Sequence, residues 1–130
     1  MSINAMITED DLLSRAMLCD LLEDHFPQVH IVGMAETVKG SLEILGKTRI
    51  DLLFLDIELP DGKGFDILSS LETVDFEVIV TTSHLNYLGA YPSQKIMAVT
   101  VKPLTLDSLQ NAMNKFIQKF PAGVSLTGSK

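Results

Sequence analysis

The sequence predicts a single α/β domain in which a parallel β-sheet is covered by helices on both faces. Three observations support this fold class. Leu52–Leu55 is a continuous apolar run, typical of a strand buried on both faces. Strand-like and helix-like segments alternate strictly, which is the order that builds parallel sheets with right-handed crossovers. With 130 residues and a hydrophobic fraction of 46%, the chain is sufficient for one domain with a substantial core.

The first strand segment leads into an acidic turn and a helix. Ile3–Thr8 is the predicted strand, and Asp10 or Asp11 is expected to cap the following helix, because carboxylates interact favourably with a helix N-terminus. The helix is predicted from about Leu12 to His25, where Phe26-Pro27 ends it. Its apolar residues recur one turn apart and mark an apolar face: Leu13, Met17 and Leu21.

The alternation continues up to and beyond the apolar run. Val29–Met34 is the predicted second strand, and Thr37 is placed to cap a helix over about Val38–Lys47. The third strand is the apolar run itself, and it ends on Asp56. The residues that follow are typical of turns: Pro60, Asp61, Gly62 and Gly64.

The second half of the chain repeats the pattern. A third helix is predicted from Gly64 to about Glu72, and a fourth strand over Phe76–Thr81, which is rich in β-branched residues. His84–Tyr91 is a short fourth helix at most, because Pro92 cannot continue it. The last elements are a fifth strand, Ile96–Val101, and a fifth helix from about Thr105 to Phe120, with Leu109, Met113, Phe116 and Phe120 on one face.

This order predicts a flavodoxin-like (βα)5 domain over residues 1–120, with strand order 2-1-3-4-5. Residues 121–130 are small and polar, and they form a C-terminal tail or the start of a linker.

Composition excludes several classes of function. Ten basic residues stand against 17 acidic ones, and the net charge of −7 argues against direct nucleic acid binding by this domain. The charge suits a bound cation or a basic partner surface. No apolar run approaches the roughly 20 residues of a membrane span, and no secretory signal is expected. The single Cys19 fits a reducing compartment, so we expect a cytoplasmic protein.

Polar residues gather where the predicted strands end. Glu9 and Asp10 follow strand one, and Asp56 ends strand three. Strand four ends in Thr81, Thr82 and Ser83, and strand five is followed by Lys102. Strands one and three are neighbours at the topological switch point, where ligands bind outside the carboxyl ends of strands. Three carboxylates there would repel one another, and Mg²⁺ would relieve that repulsion.

The charges indicate what this site accepts. Three carboxylates with Mg²⁺ leave about −1, and Lys102 brings the total near neutral. A phosphoryl group adds up to about −2 and three acceptor oxygens, which the metal, Lys102 and the Thr82 hydroxyl are placed to satisfy. Asp56 is then a carboxylate nucleophile that forms an acyl phosphate.

Four motifs lie at these strand ends: ITEDD (Ile7–Asp11), FLDIELPDGKGFD (Phe54–Asp66), VIVTTS (Val78–Ser83) and VKP (Val101–Pro103). Together and in this order they resemble the receiver domain of two-component response regulators, and the resemblance covers about residues 3–120. The segments ELPDGKGFD and TTSHLNY are most similar in sequence to the receiver half of regulators with a LytTR-type DNA-binding domain.

The resemblance implies a role for each residue of the cluster. Asp56 would accept a phosphoryl group from a sensor histidine kinase or a phosphotransfer protein. Thr82 would be the switch hydroxyl, and Lys102 would contact the phosphoryl group. The Mg²⁺ ligands would be Glu9, Asp10, Asp56 and the backbone carbonyl of Glu58. The chain would be a self-modifying signalling domain, not an enzyme with a separate substrate, and homodimerisation stays open.

Two positions depart from the family pattern. Val99 stands three residues before Lys102, where the family usually has an aromatic switch residue. Valine has one stiff χ1 angle and cannot report phosphorylation by ring rotation, and Pro92 shortens the helix on the usual output face. The family's Lys-Pro bond is usually cis, which we expect at Lys102-Pro103.

Other functions stay open. A pseudo-receiver would keep the fold and bind a partner without phosphorylation; the acids, Thr82 and Lys102 argue against it, and Val99 and Pro92 favour it. An aspartyl-phosphate phosphatase is suggested by Asp56-Ile57-Glu58, which resembles a D-x-D pair. Proteins of that class are expected to carry this acid pair at their first strand together with an added cap, and the sequence indicates neither. The chain either stands alone or is the receiver fragment of a DNA-binding transcriptional regulator.

Overall fold

A computed structural model describes residues 2–84 and 96–120. Five strands form the central sheet: β1 (Ile3–Thr8), β2 (Val29–Ala35), β3 (Leu52–Asp56), β4 (Glu77–Thr82) and β5 (Ile96–Val101). The helices of the described part are α1 (Leu12–His25), α2 (Val38–Leu45), α3 (Phe65–Ser70) and α4 (Leu106–Lys119). The strand order is β2-β1-β3-β4-β5 and every pair in this sheet is parallel, which confirms the predicted fold class. Apart from His84, the predicted fourth helix (84–91), Pro92 and the tail (121–130) lie outside the described residues.

The sheet separates two apolar layers. Helices α1 and α4 pack on one face, and α2 and α3 pack on the other. Side chains of β3 alternate between them, so that Leu52 and Phe54 join the first layer and Leu53 and Leu55 join the second. All four are at most 1% exposed. The continuous apolar run therefore reflects burial on both faces, as the sequence predicted.

Only part of the apolar row predicted for helix α1 packs on the core, where Leu21 is partly buried. Leu18 and Leu22 are its buried residues, whereas Leu13 is 68% exposed. The predicted face is therefore wrong at Leu13. Within each row the residues lie four positions apart, so periodicity alone does not distinguish the rows. Packing against the sheet selects the row that contains Leu18 and Leu22. Asp11 is the N-cap, and its side chain accepts a hydrogen bond from Ser14 N.

The segment after β3 is more ordered, and α3 is shorter, than predicted. Glu58–Leu59 pairs with Gly62–Lys63 in a short antiparallel hairpin, where the sequence indicated only turns. Helix α3 begins one residue later than predicted and ends two residues earlier, with Leu71 extended at φ −93° and ψ 140°. The Ser70 hydroxyl donates to the Asp66 carbonyl at 2.7 Å, and such local bonds compete with helix continuation.

Helix α4 is fixed by a cap at its start and an apolar face along its length. Thr105 and Ser108 form a reciprocal capping box. Leu109, Met113 and Phe116 are buried, as predicted. The Lys102-Pro103 peptide bond before it is cis, which confirms that expectation. Among the helices that the structure describes, none has the length and apolar character needed to cross a bilayer.

Candidate functional site

Strand ends bring the predicted site residues to one edge of the sheet. Glu9 and Asp10 follow β1, Asp56 is the last residue of β3, Thr82 is the last residue of β4, and Lys102 follows β5. β3 lies between β1 and β4 in the sheet, so these residues meet around Asp56. The carboxyl ends of neighbouring parallel strands thus present acids, a hydroxyl and an ammonium group to one opening.

Lys102 joins two of the acids. Its Nζ lies 2.7 Å from Glu9 Oε1 and 3.2 Å from Asp56 Oδ2. All three side chains are largely buried, and buried charges are stable only when they are paired. Burial opposes the charged form of Lys102, but the hydrogen bond to Glu9 and the charges of both acids raise its pKa above the ordinary 10.5. Lys102 is therefore a cation at neutral pH.

Glu9 is held by hydrogen bonds on both its side chain and its backbone. Its Oε2 accepts from Asp11 N at 3.1 Å, and its carbonyl oxygen accepts from Arg15 Nη1 at 2.8 Å. Burial raises the pKa of Glu9 from 4.5 to about 7, with Asp56 acting in the same direction and Lys102 opposing it. The ionised form of Glu9 is therefore disfavoured, chiefly by burial, and a nearby cation would relieve that cost.

The acids fit a magnesium site. One carboxylate oxygen from each of Glu9, Asp10 and Asp56 lies within 4.8 Å of the others. Glu9 and Asp56 are buried, whereas Asp10 is exposed, so one side of the cluster is open to water. Mg²⁺ prefers oxygen ligands and usually keeps several waters, which suits this open set of hard donors.

Glu58 lies beside Asp56 through its backbone. Its N–H donates to Asp56 Oδ1 at 3.3 Å, while its exposed side chain pairs with Lys63 at 3.4 Å. The side chain is thus engaged across the short hairpin. The role of the Glu58 carbonyl as a metal ligand stays a prediction.

Thr82 is buried at the end of β4 and is 1% exposed. Its Oγ1 accepts from His84 N at 3.0 Å and lies 3.3 Å from the His84 carbonyl oxygen. Thr81, the residue before it, pairs with Asp56 in the sheet. The structure therefore places Thr82 next to the site with its hydroxyl bonded to the following loop, and its role as a switch stays a prediction.

Two further residues support the site, although the sequence indicated only turns there. A Cβ added at Gly64 would collide with the backbone oxygen of Asp56, so only glycine allows this close approach. Asp61 accepts hydrogen bonds from Val38 N at 2.7 Å and Lys39 N at 3.1 Å, at the start of α2. The turn-rich composition was the available signal, but it does not reveal partners more than 20 residues away.

A cleft of about 320 Å³ opens beside Lys102. Leu13 and Met17 of α1 form part of one wall, and Pro103 and Leu104 form part of another. The cleft is thus largely apolar and continuous with the charged site. On the edge strand β5, Val99 is 37% exposed.

Comparison with known proteins agrees with this geometry. The family model of the response regulator receiver domain matches residues 5–114. The transcriptional regulatory protein MalR of Bacillus subtilis is 30% identical over 124 residues, which cover 90% of this chain and 51% of MalR. The sensory transduction protein LytT of Bacillus cereus is 39% identical over 116 residues, 88% of this chain and 47% of LytT. The chain therefore spans about half the length of these curated relatives.

Solved structures show the same fold. The response regulatory domain of protein mrkE from Klebsiella pneumoniae superposes with a TM-score of 0.82 at 20% identity, covering 92% of this chain and 99% of that one. A receiver domain of PhyR from Erythrobacter litoralis gives 0.78 at 24% identity, covering 90% and 91%.

Proposed function

The chain belongs to the response regulator receiver family, and from that premise we propose that it is a phosphoacceptor switch of a two-component phosphorelay. Asp56 accepts a phosphoryl group from a histidine kinase or a phosphotransfer protein in a Mg²⁺-dependent step, and the modification changes partner binding. The observation that carries this proposal is the cluster around Asp56, in which Lys102 lies 3.2 Å from the acceptor carboxylate and Glu9 and Asp10 supply further oxygens.

Each residue has a defined part in the proposed transfer. An Asp56 carboxylate oxygen attacks the phosphorus, a P–O bond forms, and the bond from phosphorus to the donor's histidine nitrogen breaks. The Glu58 N–H orients the carboxylate through Oδ1. Lys102 remains a cation and stabilises negative charge on the phosphoryl oxygens. Mg²⁺, held by Glu9, Asp10, Asp56 and the Glu58 carbonyl, would add positive charge at the same place.

The adjoining cleft supports a protein as the phosphoryl donor. A donor that brings a phosphohistidine to Asp56 must also cover the surface next to Lys102. That surface includes Leu13, which is 68% exposed, together with Pro103 and Leu104. Exposed apolar groups at the mouth of a charged site favour contact with another protein.

The proposed function also includes the domain's own catalysis, its lack of direct nucleic acid binding and its location. The domain catalyses its own phosphorylation and dephosphorylation and turns over no separate substrate. Its net charge of −7 opposes direct binding to nucleic acid, and the single Cys19 suits the cytoplasm. The relatives named as transcriptional regulators support the view that the chain corresponds to the receiver half of such a regulator.

Phosphorylation from a small donor tests the proposal directly. We expect the wild-type protein, incubated with acetyl phosphate and Mg²⁺, to gain one phosphoryl group by intact mass, and Asp56→Asn to gain none. Asp24→Asn, an exposed change on α1, is the matched control and should behave like wild type. The proposal fails if the wild type stays unmodified or if Asp56→Asn is modified equally.

The same experiment decides between the alternatives. The exposed Val99, in place of an aromatic switch, favours a pseudo-receiver, which would take up no phosphoryl group and show no amide NMR shifts with beryllofluoride. Steady turnover of a small phosphomonoester would instead favour a phosphatase.

A further inference from the structure

The first turn of α2 is fastened to the hairpin that follows Asp56. Asp61 accepts hydrogen bonds from Val38 N at 2.7 Å and Lys39 N at 3.1 Å, and Thr37 accepts from Gly40 N at 2.8 Å. The first three amides of the helix are therefore satisfied, two of them by a carboxylate from another part of the chain. Asp61 lies five residues after Asp56.

The same turn of α2 is also fastened to the strand that carries the acidic pair. Thr8 Oγ1 lies 2.8 Å from Ser41 Oγ, and both residues are 0% exposed. The Ser41 hydroxyl donates to the Thr37 carbonyl at 2.8 Å. Because a hydroxyl has one hydrogen, Thr8 must be the donor to Ser41. Thr8 immediately precedes Glu9.

These contacts matter because the site lies beyond the part of the sheet that holds β1 and β3 together. The last paired residues of these strands are Thr8 and Leu55. Glu9 and Asp10 on one side and the hairpin after Asp56 on the other have no further strand pairing between them in the described sheet. Lys102 links Glu9 to Asp56 through its side chain. The start of α2 bonds to both sides as well, through Ser41 and through the amides of Val38 and Lys39, and so adds a second connection.

We propose that Asp61, Ser41 and Thr8 are positioning residues that set the separation between the Glu9–Asp10 pair and Asp56, and thereby the affinity for a divalent cation. The proposal rests on the metal site of the proposed function. None of the four hydrogen bonds described above for these side chains involves a carboxylate of the site. They act through helix α2, and the demand of Mg²⁺ for near-octahedral geometry makes its affinity sensitive to small displacements of the ligands.

A mutant cycle with Mn²⁺ as the probe tests this inference. The variants are Thr8→Val, which keeps the side-chain shape without the hydroxyl, Asp61→Asn, and the double variant. We expect each single change to weaken Mn²⁺ binding, measured by electron paramagnetic resonance of the free ion, by about threefold to tenfold. This is less than the roughly 10–100-fold typical of groups bonded directly to metal ligands. Because both changes act through the start of α2, the double variant should lose less than the product of the single effects.

Two controls separate positioning from a general loss of stability. Thr105→Ala removes a helix cap of α4 away from these contacts and should lower stability without changing Mn²⁺ affinity. Thr8→Ser retains a hydroxyl and should restore near wild-type affinity, which also keeps the test decisive if Thr8→Val folds poorly.

The outcomes distinguish the inference from the function on which it rests. If the single variants bind Mn²⁺ as tightly as the wild type, while their unfolding midpoints fall as in Thr105→Ala, the three residues are structural only and the inference is wrong. If the wild type itself binds no Mn²⁺, the proposed metal site is wrong and the inference falls with it.

Discussion

Gly64 shows how closely the backbone folds back on Asp56, the proposed phosphoacceptor. A Cβ at this position would collide with the Asp56 backbone oxygen and lie 3.0 Å from Leu55 Cδ1. We expect Gly64→Ala to lower the free energy of unfolding by about 1–3 kcal/mol, because the main chain must shift to admit the methyl group. The shift would displace Asp56, so phosphoryl uptake from acetyl phosphate should also slow. Urea unfolding and intact mass measure the two effects.

Gly46 provides a matched control for this steric argument. It has a helical φ of −69°, and an added Cβ would meet its nearest neighbour, the Leu42 carbonyl oxygen, at 3.4 Å. Gly46→Ala should therefore be neutral or stabilising by up to about 1 kcal/mol, because alanine reduces the entropy of the unfolded chain. Equal effects of the two substitutions would contradict the assignment of a close approach to Gly64.

Individual site residues differ in how far the sequence reveals them. Glu9, Asp56 and Lys102 were predicted as a cluster because each follows an apolar strand and parallel strands bring their carboxyl ends together. The rise in the pKa of Glu9 agrees with the direction expected for neighbouring acids, although burial is its largest cause. The partner of Asp61 was not foreseeable, because a turn residue carries no local signal for the helix that it caps.

Asp61 gives the start of α2 a dependence on pH. Its hydrogen bonds from the backbone of Val38 and Lys39 hold its pKa below the ordinary 3.8, since both stabilise the carboxylate. An acid with a lowered pKa in the folded state stabilises the fold fully above its unfolded value, and this contribution is lost as pH falls through the lowered value. Carboxyl ¹³C NMR should thus give Asp61 a midpoint below 3.8.

The same reasoning predicts how stability changes in a variant. Asp61→Asn should be less stable than the wild type near neutral pH, and the difference should shrink as pH falls below the ordinary carboxyl range. Asp24→Asn, exposed on α1, is the matched control for the loss of one surface carboxylate. An Asp61 midpoint at or above the ordinary value, or a difference between Asp61→Asn and wild type that does not vary with pH, would show that the carboxylate does not stabilise α2.

Segments of secondary structure were predictable where a pattern was long. The five strands and the helices α1, α2 and α4 lie within two residues of their predicted bounds. The two-residue strands of the hairpin are too short for periodicity to identify. The predicted helix α3 was too long because Leu71 continues its apolar spacing. In the structure the Ser70 hydroxyl donates to a helix carbonyl and the chain becomes extended at Leu71.

The surface around the site determines how phosphoryl donors of different size would contact the protein. If Asp56 is the phosphoacceptor as proposed, a small phosphoryl donor would need only the charged cluster around it, whereas a protein donor would also contact the surrounding surface. The cleft wall formed by Leu13, Met17 and Leu104 is the apolar part of that surface. Substitutions in this wall should therefore change the rate of phosphoryl transfer from a protein donor but not from a small-molecule donor.

Leu13 and Leu12 allow this difference to be measured. They are adjacent on α1 and similarly exposed, at 68% and 70%, but only Leu13 is among the residues that line the cleft. Leu13→Ser should slow phosphotransfer from a purified, phosphorylated histidine kinase core that is active with the wild type. We expect a loss of about tenfold, equivalent to about 1.4 kcal/mol of contact energy. Uptake from acetyl phosphate should stay unchanged, because the charged cluster is intact.

Leu12→Ser is the matched control for Leu13→Ser. It introduces the same residue, with the same helix propensity, into the same turn of α1, so a general weakening of the helix would affect both variants alike. If the two variants slow transfer equally, the cleft is not what the donor contacts. If Leu13→Ser also slows uptake from acetyl phosphate, the side chain acts on the chemistry at Asp56 and not on recognition. Only selective loss with the kinase identifies the apolar wall as the donor's contact surface, because only the protein donor extends beyond the phosphoryl group.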